Sequence, residues 1–459
     1  MGDIVFSPDL TVPDALVLRN LADDIERHKA LKRRADPGDR DEGYASTGSS
    51  TAAKDATQED YGISTERDAE DLRKMNGLND PESEDFEPTV ISMLDVPDIK
   101  ARLPTVVYDY VVVPYIALAQ KVVRHETDVV MLTHLLLYLG TSLPSALFLF
   151  YRFSYLHAII HVAMQGWYMG PYTLMMHQHI HMRGILSRDG PWLLRLVDAG
   201  FPYVTDPLMG HTWNTYFYHH VKHHHVEGNG PDDLSSTLRY QRDDWRHFLH
   251  YVGRFLVLIW IDLPRYYLRK GQPGNAVRAG GWELSNYVAI YACWCLNPRA
   301  ATFTLLVPLF FMRIALMVGN WGQHAFVDRD EPDSDFRSSI TLIDVPSNRL
   351  CYNDGYHTSH HLNPMRHWRH HPAAFLRQKA TYAAEKALVF HDIDYFMMTM
   401  RLLRRDYAYL AARLVPVGAQ MDLSMAQREE LLRAHTKRFT EEELKVKFGG
   451  KEGEGEKSK

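Results

Sequence analysis

Residues 216–225 read Tyr-Phe-Tyr-His-His-Val-Lys-His-His-His, so five of the seven residues from 219 to 225 are histidines. A solvated helix gains little from so many imidazoles, because histidine is only a moderate helix former. In an apolar core, each ring nitrogen left without a partner would cost about 1–3 kcal/mol. A divalent metal ion can accept lone pairs from several imidazoles at once. The stretch therefore predicts a metal site, with a basic, pH-sensitive surface patch as the alternative.

Charge and cysteine content exclude several classes of protein. The net charge of −6 over 459 residues gives no sign of nucleic-acid binding. The three cysteines, Cys293, Cys295 and Cys351, contain no C-x-x-C pair. This excludes a disulfide framework and a cysteine-rich zinc site. The first residues also lack the pattern of a secretory signal, so we expect internal apolar segments to direct the chain to a membrane.

Polar segments flank an apolar middle of the chain. Residues 13–34 are expected to form one amphipathic helix, whereas residues 35–87 are rich in Asp, Gly, Ser, Thr and Glu and bury too little apolar surface to fold. We divide the chain into a polar, mostly disordered N-terminal arm (1–90), a membrane domain (91–375), a cytosolic helical C-terminal region (376–444) and a disordered tail (445–459).

Four apolar runs are expected to cross the membrane as two helical hairpins. Residues 129–151 contain no Asp, Glu, Lys or Arg, and their length matches the roughly 20 residues that span a hydrocarbon core. Residues 155–176 return as the second helix, and residues 282–296 and 300–320 form the second hairpin. Residues 248–261 are placed at the membrane interface and not across the membrane. If the histidine-rich segments before and after these runs lie on one side of the membrane, the chain must cross it an even number of times between them.

The expected fold is therefore an all-α integral membrane protein with four transmembrane helices. A helical cap on one side would carry the histidines of the metal site. Arginines and lysines between the apolar runs place that side in the cytosol, because cytosolic loops are enriched in these residues. They are Arg265, Arg269, Lys270 and Arg278.

Four histidine motifs follow one another along this middle region. His177 and His181 are four residues apart, on one face of a helix. In the second motif the convergent set is either His220, His223 and His224 or His220, His224 and His225, and the sequence does not decide between them. The third motif runs from Asn320 to His324, and the fourth comprises His357, His360 and His361.

These motifs, in this order and separated by the apolar hairpins, resemble the membrane-bound fatty acid desaturase and hydroxylase superfamily over about residues 125–375. In that superfamily the histidine boxes hold a cytosol-facing, non-haem di-iron centre. The resemblance implies that Asn320 supports the site through water or as an outer contact. It implies iron-binding roles for the histidines of the four motifs: His177, His181, His220, His223, His224, His225, His324, His357, His360 and His361.

The resemblance implies an O2-dependent di-iron oxidoreductase that introduces a double bond into a long acyl chain. Removing hydrogen from an unactivated methylene requires a redox metal that binds O2, which zinc cannot replace. No side chain beyond the metal ligands is expected to be catalytic. Hydroxylation of a lipid is the closest alternative, and a non-redox zinc protein of the membrane is another, although no H-E-x-x-H motif is present. A catalytically inactive family member is a third.

The resemblance also implies partners and a location. Because no His-Pro-Gly-Gly haem motif is present, we expect the two electrons to come from a separate donor, either cytochrome b5 with its reductase or a ferredoxin. The substrate is expected to be a lipid or acyl chain. A eukaryotic protein of this kind would be a multi-pass protein of the endoplasmic reticulum membrane.

Other histidines and acidic residues are open to less specific interpretations. His157 lies 20 residues before His177, about 30 Å along a helix, so His157 and His161 are expected in core or headgroup contacts. A second H-x-x-H-H at residues 367–371 is interleaved with arginines and is expected to form a cationic surface, and His211 is a candidate for supporting the ligands. Four aspartates either orient ligand imidazoles or cap helices and loops: Asp232, Asp233, Asp328 and Asp354.

Overall fold

A computed structural model describes residues 4–35 and 65–449. This part of the chain is mostly helical, with one small sheet. In chain order the longer helices of the first half are α1 (Val12–Ala35), α2 (Thr65–Gly77), α3 (Val96–Arg102), α4 (105–122), α5 (Val129–Tyr151), α6 (Tyr155–Met182), α7 (Trp192–Leu208) and α8 (217–227). Next come α9 (Trp245–Arg269), α10 (Pro273–Leu296) and α11 (Pro298–Gln323).

The second half contains shorter elements. They are α12 (Asp335–Ser338), β1 (Ile340–Ile343), α13 (Pro346–Leu350), α14 (His357–Leu362), α15 (His371–Arg377), α16 (Lys379–Ala384), β2 (Leu388–His391), α17 (Tyr395–Leu403), α18 (Tyr407–Ala412), β3 (Leu414–Val415), α19 (Met425–His435) and α20 (Glu441–Phe448). Short 3-10 turns lie at Trp368–His370 and Gly418–Asp422. Helix α19 begins where the Ser424 hydroxyl accepts a hydrogen bond from the Gln427 backbone N–H, which satisfies one of the free donors of its first turn.

Within the described residues, two helices are long and apolar enough to cross a membrane, namely α5 and α11. They contain the first and fourth expected spans. The second and third expected spans lie within α6 and α10, which have 28 and 24 residues but do not pass the same test of composition. Two apolar helices are therefore found where four transmembrane helices were expected.

A three-stranded sheet corrects the prediction of an all-α fold. β2 lies in the middle, parallel to β1 and antiparallel to β3. Every residue of β1 and β2 is buried. Both strands are apolar runs of only four residues, which periodicity alone does not distinguish from segments of buried helix. The sheet also joins residues on either side of the boundary predicted at residue 375.

The N-terminal region is more ordered than expected. The predicted helix at 13–34 is confirmed as α1. Part of the segment predicted to be disordered, residues 65–87, forms α2 and a loop that pack against the body, while residues 36–64 lie outside the described residues. The Lys379 ammonium binds Asn20 Oδ1 at 2.7 Å, Asp24 Oδ2 at 2.5 Å and Asp68 Oδ1 at 2.7 Å, which ties α1 and α2 to α16. The expected disordered tail likewise begins within α20, and residues 450–459 are not described.

Residues 248–261, which were expected to lie at the membrane interface, form the middle of helix α9. It is continuous for 25 residues and packs along α10, with Leu263 of α9 and Ala279 of α10 in one buried cluster. Its first half contacts the end of α11, where the Tyr251 ring lies 4.9 Å from the ring of the fully buried Trp321. This packing holds the end of α11 beside α6, α8 and α14, the elements that carry the other histidine motifs.

Candidate metal centre

Five histidines from three helices form a first group, whose ring nitrogens all lie within 4.8 Å of one another. We call it group A: His177 and His181 of α6, His220 and His225 of α8, and His360 of α14. His177 and His181 are one turn apart at the end of α6, so both rings leave the same face of that helix. Histidines of the first, second and fourth motifs therefore lie together in one group.

The Nε2 atoms of four rings in group A face one another. His177 Nε2 lies 2.8 Å from His220 Nε2 and 3.0 Å from His360 Nε2, and His225 Nε2 lies 3.0 Å from His220 Nε2 and 2.8 Å from His360 Nε2. A neutral imidazole has one N–H donor and one lone pair. The four contacts between these Nε2 atoms cannot all be hydrogen bonds at once. Each bond needs one Nε2 that carries a hydrogen and another that carries a lone pair, and each hydrogen can be directed at only one neighbour. A cation at the centre would accept all four lone pairs, so these donors fit a metal ion.

Four further histidines form a second group, which we call group B: His224, His324, His357 and His361, all of them buried. His357 Nε2 lies 3.0 Å from His361 Nε2 and 3.3 Å from His324 Nε2. The two groups are adjacent, since the rings of His225 in group A and His361 in group B are 5.3 Å apart between centres. The geometry thus offers two neighbouring sites, each of which could hold a metal ion.

Three imidazoles of group B have an acceptor beside Nδ1, the nitrogen that points away from the group. His224 Nδ1 donates to Asp233 Oδ2 at 2.7 Å, and His324 Nδ1 donates to the Ser338 carbonyl oxygen at 2.7 Å. His361 Nδ1 lies 3.6 Å from Asp335 Oδ1. A hydrogen on Nδ1 leaves the lone pair on Nε2, which points into the group. Acceptors of this kind fix the tautomer and orientation of a metal-binding imidazole.

Burial favours the neutral form of three of these rings. Burial, followed by repulsion from neighbouring imidazoles, lowers the pKa of His225, His357 and His360 well below the ordinary value for histidine. Neutral imidazole is the form that binds metals. Burial raises the pKa of Asp233, but attraction to His224 and hydrogen bonds from His224 and Ser235 outweigh burial and hold the pKa of that carboxyl well below its usual range. Asp233 is therefore ionised, and its carboxylate lies beside His224 of group B.

A cavity of about 730 Å³ borders both groups. His177, His220 and His360 line it from group A, and His224 and His357 line it from group B. Apolar side chains of α6, α9 and α11 form part of its remaining wall, including Met169, Leu174, Phe255, Ile259, Phe311, Leu316 and Met317. This volume is in the range of pockets that hold a small organic ligand or part of a lipid chain.

The family model for fatty acid desaturases matches residues 153–393, slightly more than half of the chain. The chain belongs to this family. Membership supports the fatty acid desaturase and hydroxylase superfamily that the motifs indicated, and it implies an oxidoreductase that acts on a lipid or acyl substrate. Comparison with curated proteins and with solved structures found no match.

The second box of this desaturase-family chain lies on a π-helix, which determines the group that each of its histidines joins. Residues Phe217–His224 are π-helical, and the backbone N–H of His225 donates to the carbonyl of His220, five residues earlier. The wider turn places His220 and His225 on one side, in group A, and His224 toward group B. This corresponds to the set His220, His224 and His225 that the sequence left as an alternative. π-helical turns are rare and occur often at functional sites.

His223 is the one predicted ligand that joins neither group within the described residues. Its Nε2 accepts a hydrogen bond from the Leu234 backbone N–H at 3.1 Å, and its ring packs edge-on against Tyr266 at 4.4 Å. An α-helical register would have aimed His223 with His220 and His224, so the π-helix is the physical reason for the difference. His219 lies beside His223 and Phe255 and lines the cavity.

The additional histidines belong to neither group, although the His371 ring lies 6.1 Å from that of His360. His157 Nε2 and His161 Nδ1 each lie 2.9 Å from Ser145 Oγ, inside the helix bundle. In the second H-x-x-H-H, His367 Nε2 lies 2.7 Å from Asp128 Oδ2 and His371 Nδ1 lies 3.0 Å from Ser359 Oγ. The expectation of an exposed cationic surface was wrong for His371, which is buried.

Asn320 and two of the aspartates have defined partners. Asn320 Nδ2 donates to the Ser235 carbonyl at 2.8 Å and to the Tyr251 hydroxyl at 2.7 Å, and the residue lines the cavity beside group B. Asp233 orients His224, as one of its two interpretations predicted. Asp232 instead pairs with the Lys270 ammonium at 2.7 Å.

Three contacts of the site were missed by sequence reasoning. They are the Asp335 carboxylate, the Ser338 carbonyl, and the Tyr216 ring, which lies between His211 and His220. A backbone carbonyl leaves no signal in the sequence, because every residue has one. Asp335 lies 26 residues before His361, and only the fold brings the two together.

Proposed function

We propose that this protein is a membrane-bound, O2-dependent di-iron oxidoreductase that introduces a double bond into a long acyl chain. The observation that carries the proposal is the pair of adjacent imidazole groups at one border of a largely apolar cavity. Group A would hold one iron and group B the other, with Asn320 supporting the site through water or as an outer contact. When bound, the irons supply the oxidising chemistry, in which O2 takes up two electrons from an external donor, two hydrogens from the chain and two protons to form two water molecules.

The number of donors in group A supports the proposal. Five imidazole nitrogens lie within 4.8 Å of one another. Structural zinc sites are almost always tetrahedral, with four ligands. The donor set would therefore suit a redox metal better than a closed zinc site.

The protein itself contributes binding, orientation and a dry environment. Seven of the nine imidazoles are buried and the other two are half-buried, and the acceptors on His224 and His324 hold those rings with Nε2 inward. No residue is required as a general acid or base for removal of hydrogen from the chain. Preorganised ligands of this kind cost nothing to reorganise when the reaction occurs.

The outer surface of the cavity supports a lipid substrate. Trp167 of α6 and Phe311 of α11 line the cavity and are 58% and 61% exposed on the outside of the helices. A gap flanked by exposed apolar side chains would open toward lipid if α6 and α11 cross a bilayer. We propose that α5, α6, α10 and α11 form four spans of a multi-pass protein, with both groups on the cytosolic side, and that a eukaryotic protein of this kind resides in the endoplasmic reticulum.

Electrons are proposed to come from cytochrome b5 with its reductase, or from a ferredoxin. Hydroxylation remains the second candidate, because the same attack on a methylene yields an alcohol when oxygen is transferred to the carbon. The alternatives are distinguished by products. Expression in a host of known lipid content, followed by mass spectrometry, should show a lipid lighter by two hydrogens for desaturation or heavier by one oxygen for hydroxylation.

A matched control is the His360→Ala variant, which removes one member of group A. We expect the new lipid to disappear in this variant while the protein remains in the membrane fraction. An unchanged lipid profile with wild-type protein present would contradict both oxidative functions. Retained turnover by the His360→Ala variant would remove His360 from the site.

A further inference from the structure

A charged pair lies in the wall of the cavity, away from the imidazoles. Glu283 of α10 and Arg313 of α11 both line the cavity, and they are only 2% and 9% exposed. Arg313 lies seven residues before Asn320 and eleven before His324, or about 10 and 16 Å along the helix axis. Ionisable residues within apolar helices are costly and generally have a function.

The pair is not fully satisfied by the protein. Arg313 and the Tyr287 hydroxyl both donate to Oε1 of Glu283. Oε2 of the same carboxylate is buried and has no hydrogen-bond partner among the described residues. The Arg313 guanidinium also lies over the Tyr287 ring, 5.5 Å from its centre. One turn further along α10, the fully buried Asn286 also has neither side-chain polar atom hydrogen-bonded in the described structure.

An unpaired polar group inside a low-dielectric wall has a physical cost. A plain hydrocarbon chain packed against Glu283 and Arg313 would leave that cost in place. A neutral group that both donates and accepts hydrogen bonds would remove it, because it can donate to Oε2 of Glu283 and accept from Arg313. A further ionised group is disfavoured, since the pair already has zero net charge.

We propose that Glu283 and Arg313 select a lipid that carries a hydroxyl or an amide within its chain, separated from the oxidised carbon by about the length of helix between Arg313 and His324, roughly 16 Å. This inference rests on the proposed function and names the class of its substrate. A site that hydrogen-bonds a substrate hydroxyl rejects the analogue without it, because the buried polar groups of the site then stay unpaired. The pair thus determines specificity, while the imidazoles determine the chemistry.

Binding to the purified full-length protein tests the inference. The probes are stearic acid, a series of monohydroxystearic acids that differ in the position of the hydroxyl, and a secondary amide of the same chain length, each displacing a bound fluorescent fatty acid. We expect one hydroxyl position, or the amide, to bind at least about tenfold more tightly than stearic acid. A dependence on position distinguishes a localised hydrogen bond from a general preference for polar chains.

Replacing both charges tests which residues are responsible. The double variant Glu283→Met with Arg313→Met removes the pair without leaving a lone buried charge, and such replacements are often tolerated. It should bind stearic acid as well as the wild type or better, and the preference should fall below about twofold. If the double variant does not fold, Glu283→Gln keeps the shape of the side chain, and we expect it to reduce the preference.

The matched control removes another pair between helical side chains. Arg254 and Asp262 of α9 form an ion pair at 3.1 Å, and neither lines the cavity. The variant Arg254→Met with Asp262→Met should keep the full preference. Equal affinity of the wild type for all chains, or a preference that survives removal of Glu283 and Arg313, would overturn the inference and leave the proposed function intact. Failure of every chain to bind would contradict the proposed function itself.

Discussion

His224 and His225 are neighbours in the chain, yet they face different groups. His225 Nε2 lies 2.8 Å from His360 Nε2 in group A, whereas the His224 ring lies 5.2 Å from that of His361 in group B. His223, one residue earlier, faces the backbone of Leu234 instead. The group that a histidine joins therefore depends on the direction in which the helix orients its side chain, and not on its place in a motif.

Replacing His225 and His223 in turn tests this assignment. We expect His225→Ala to lose the metal of group A, since one of its converging nitrogens is removed. We expect His223→Ala to keep the metal content of the wild type. Metal analysis of the two purified variants, at equal protein concentration, provides the comparison. Loss of metal from the His223 variant with full retention in the His225 variant would contradict the assignment of ligands.

Asp233→Asn tests the acceptor under His224. The amide keeps the size of the side chain but removes the charge that orients the imidazole, so we expect metal affinity to fall by about 10–100-fold. Retention of metal against increasing chelator concentration measures the change. Asp232→Asn is the matched control, because Asp232 pairs with Lys270 and its loss should leave metal affinity unchanged. Equal effects of the two substitutions would show that Asp233 has no special role.

Much of the site could be predicted from residue spacing. The pair His177 and His181 lies on one face of a regular helix, so the i, i+4 rule was sufficient. The grouping of the histidines in the second box could not be predicted, because a π-helical turn changes the register and no simple sequence pattern indicates such a turn. The Ser338 carbonyl and the Asp335 carboxylate depend on tertiary contacts and could not be foreseen.

Among the elements, α8 determines how the histidines of the second box are divided between group A and group B. Its i+5 hydrogen bond from His225 to His220 brings these rings together with a Nε2 separation of 3.0 Å. His224 then projects to the other side, toward His324 and His361. A single helix can therefore supply ligands to both groups.

Helices α1 and α2 are attached through one buried lysine, which gives an element-scale prediction. The side chains of Lys379 and Asp24 are only 3% and 2% exposed, so Lys379→Met would leave buried carboxylates without their cation. Loss of one partner from a buried pair costs about 3–5 kcal/mol. We expect α1 and α2 to detach locally, which limited proteolysis or hydrogen exchange would detect.

The control for this prediction is Lys74→Met. Lys74 pairs with Glu70 on the surface, where both side chains are 52% exposed, and exposed pairs contribute about 0–1 kcal/mol. Protection of α1 and α2 should therefore stay as in the wild type. Equal protection in the Lys379 variant and the wild type would show that the buried network does not hold these helices.

The longer elements were predicted well and the shorter ones poorly. Residues 129–151 lack formal charges over a membrane-spanning length, and α5 has these bounds. The sheet was missed, because β1 and β2 have four residues each and pair with partners 48 residues away. The helix α2 was missed because its sequence is polar, and its order comes from packing and from the ion pair between Lys379 and Asp68.

For the whole molecule, the cavity connects the two imidazole groups with the charged pair in its wall. Family membership implies a lipid or acyl substrate, and the exposed Trp167 and Phe311 at the cavity are consistent with entry from a bilayer. Residues of α13, α14 and α17 also line the cavity. The proposed oxidation requires metal ions in both groups.

Metal analysis of the purified full-length protein tests this central claim most directly. Iron and zinc would be measured by mass spectrometry against protein quantified by amino-acid analysis. The two adjacent groups predict two iron ions per chain and no stoichiometric zinc. One zinc per chain and no iron would contradict the account.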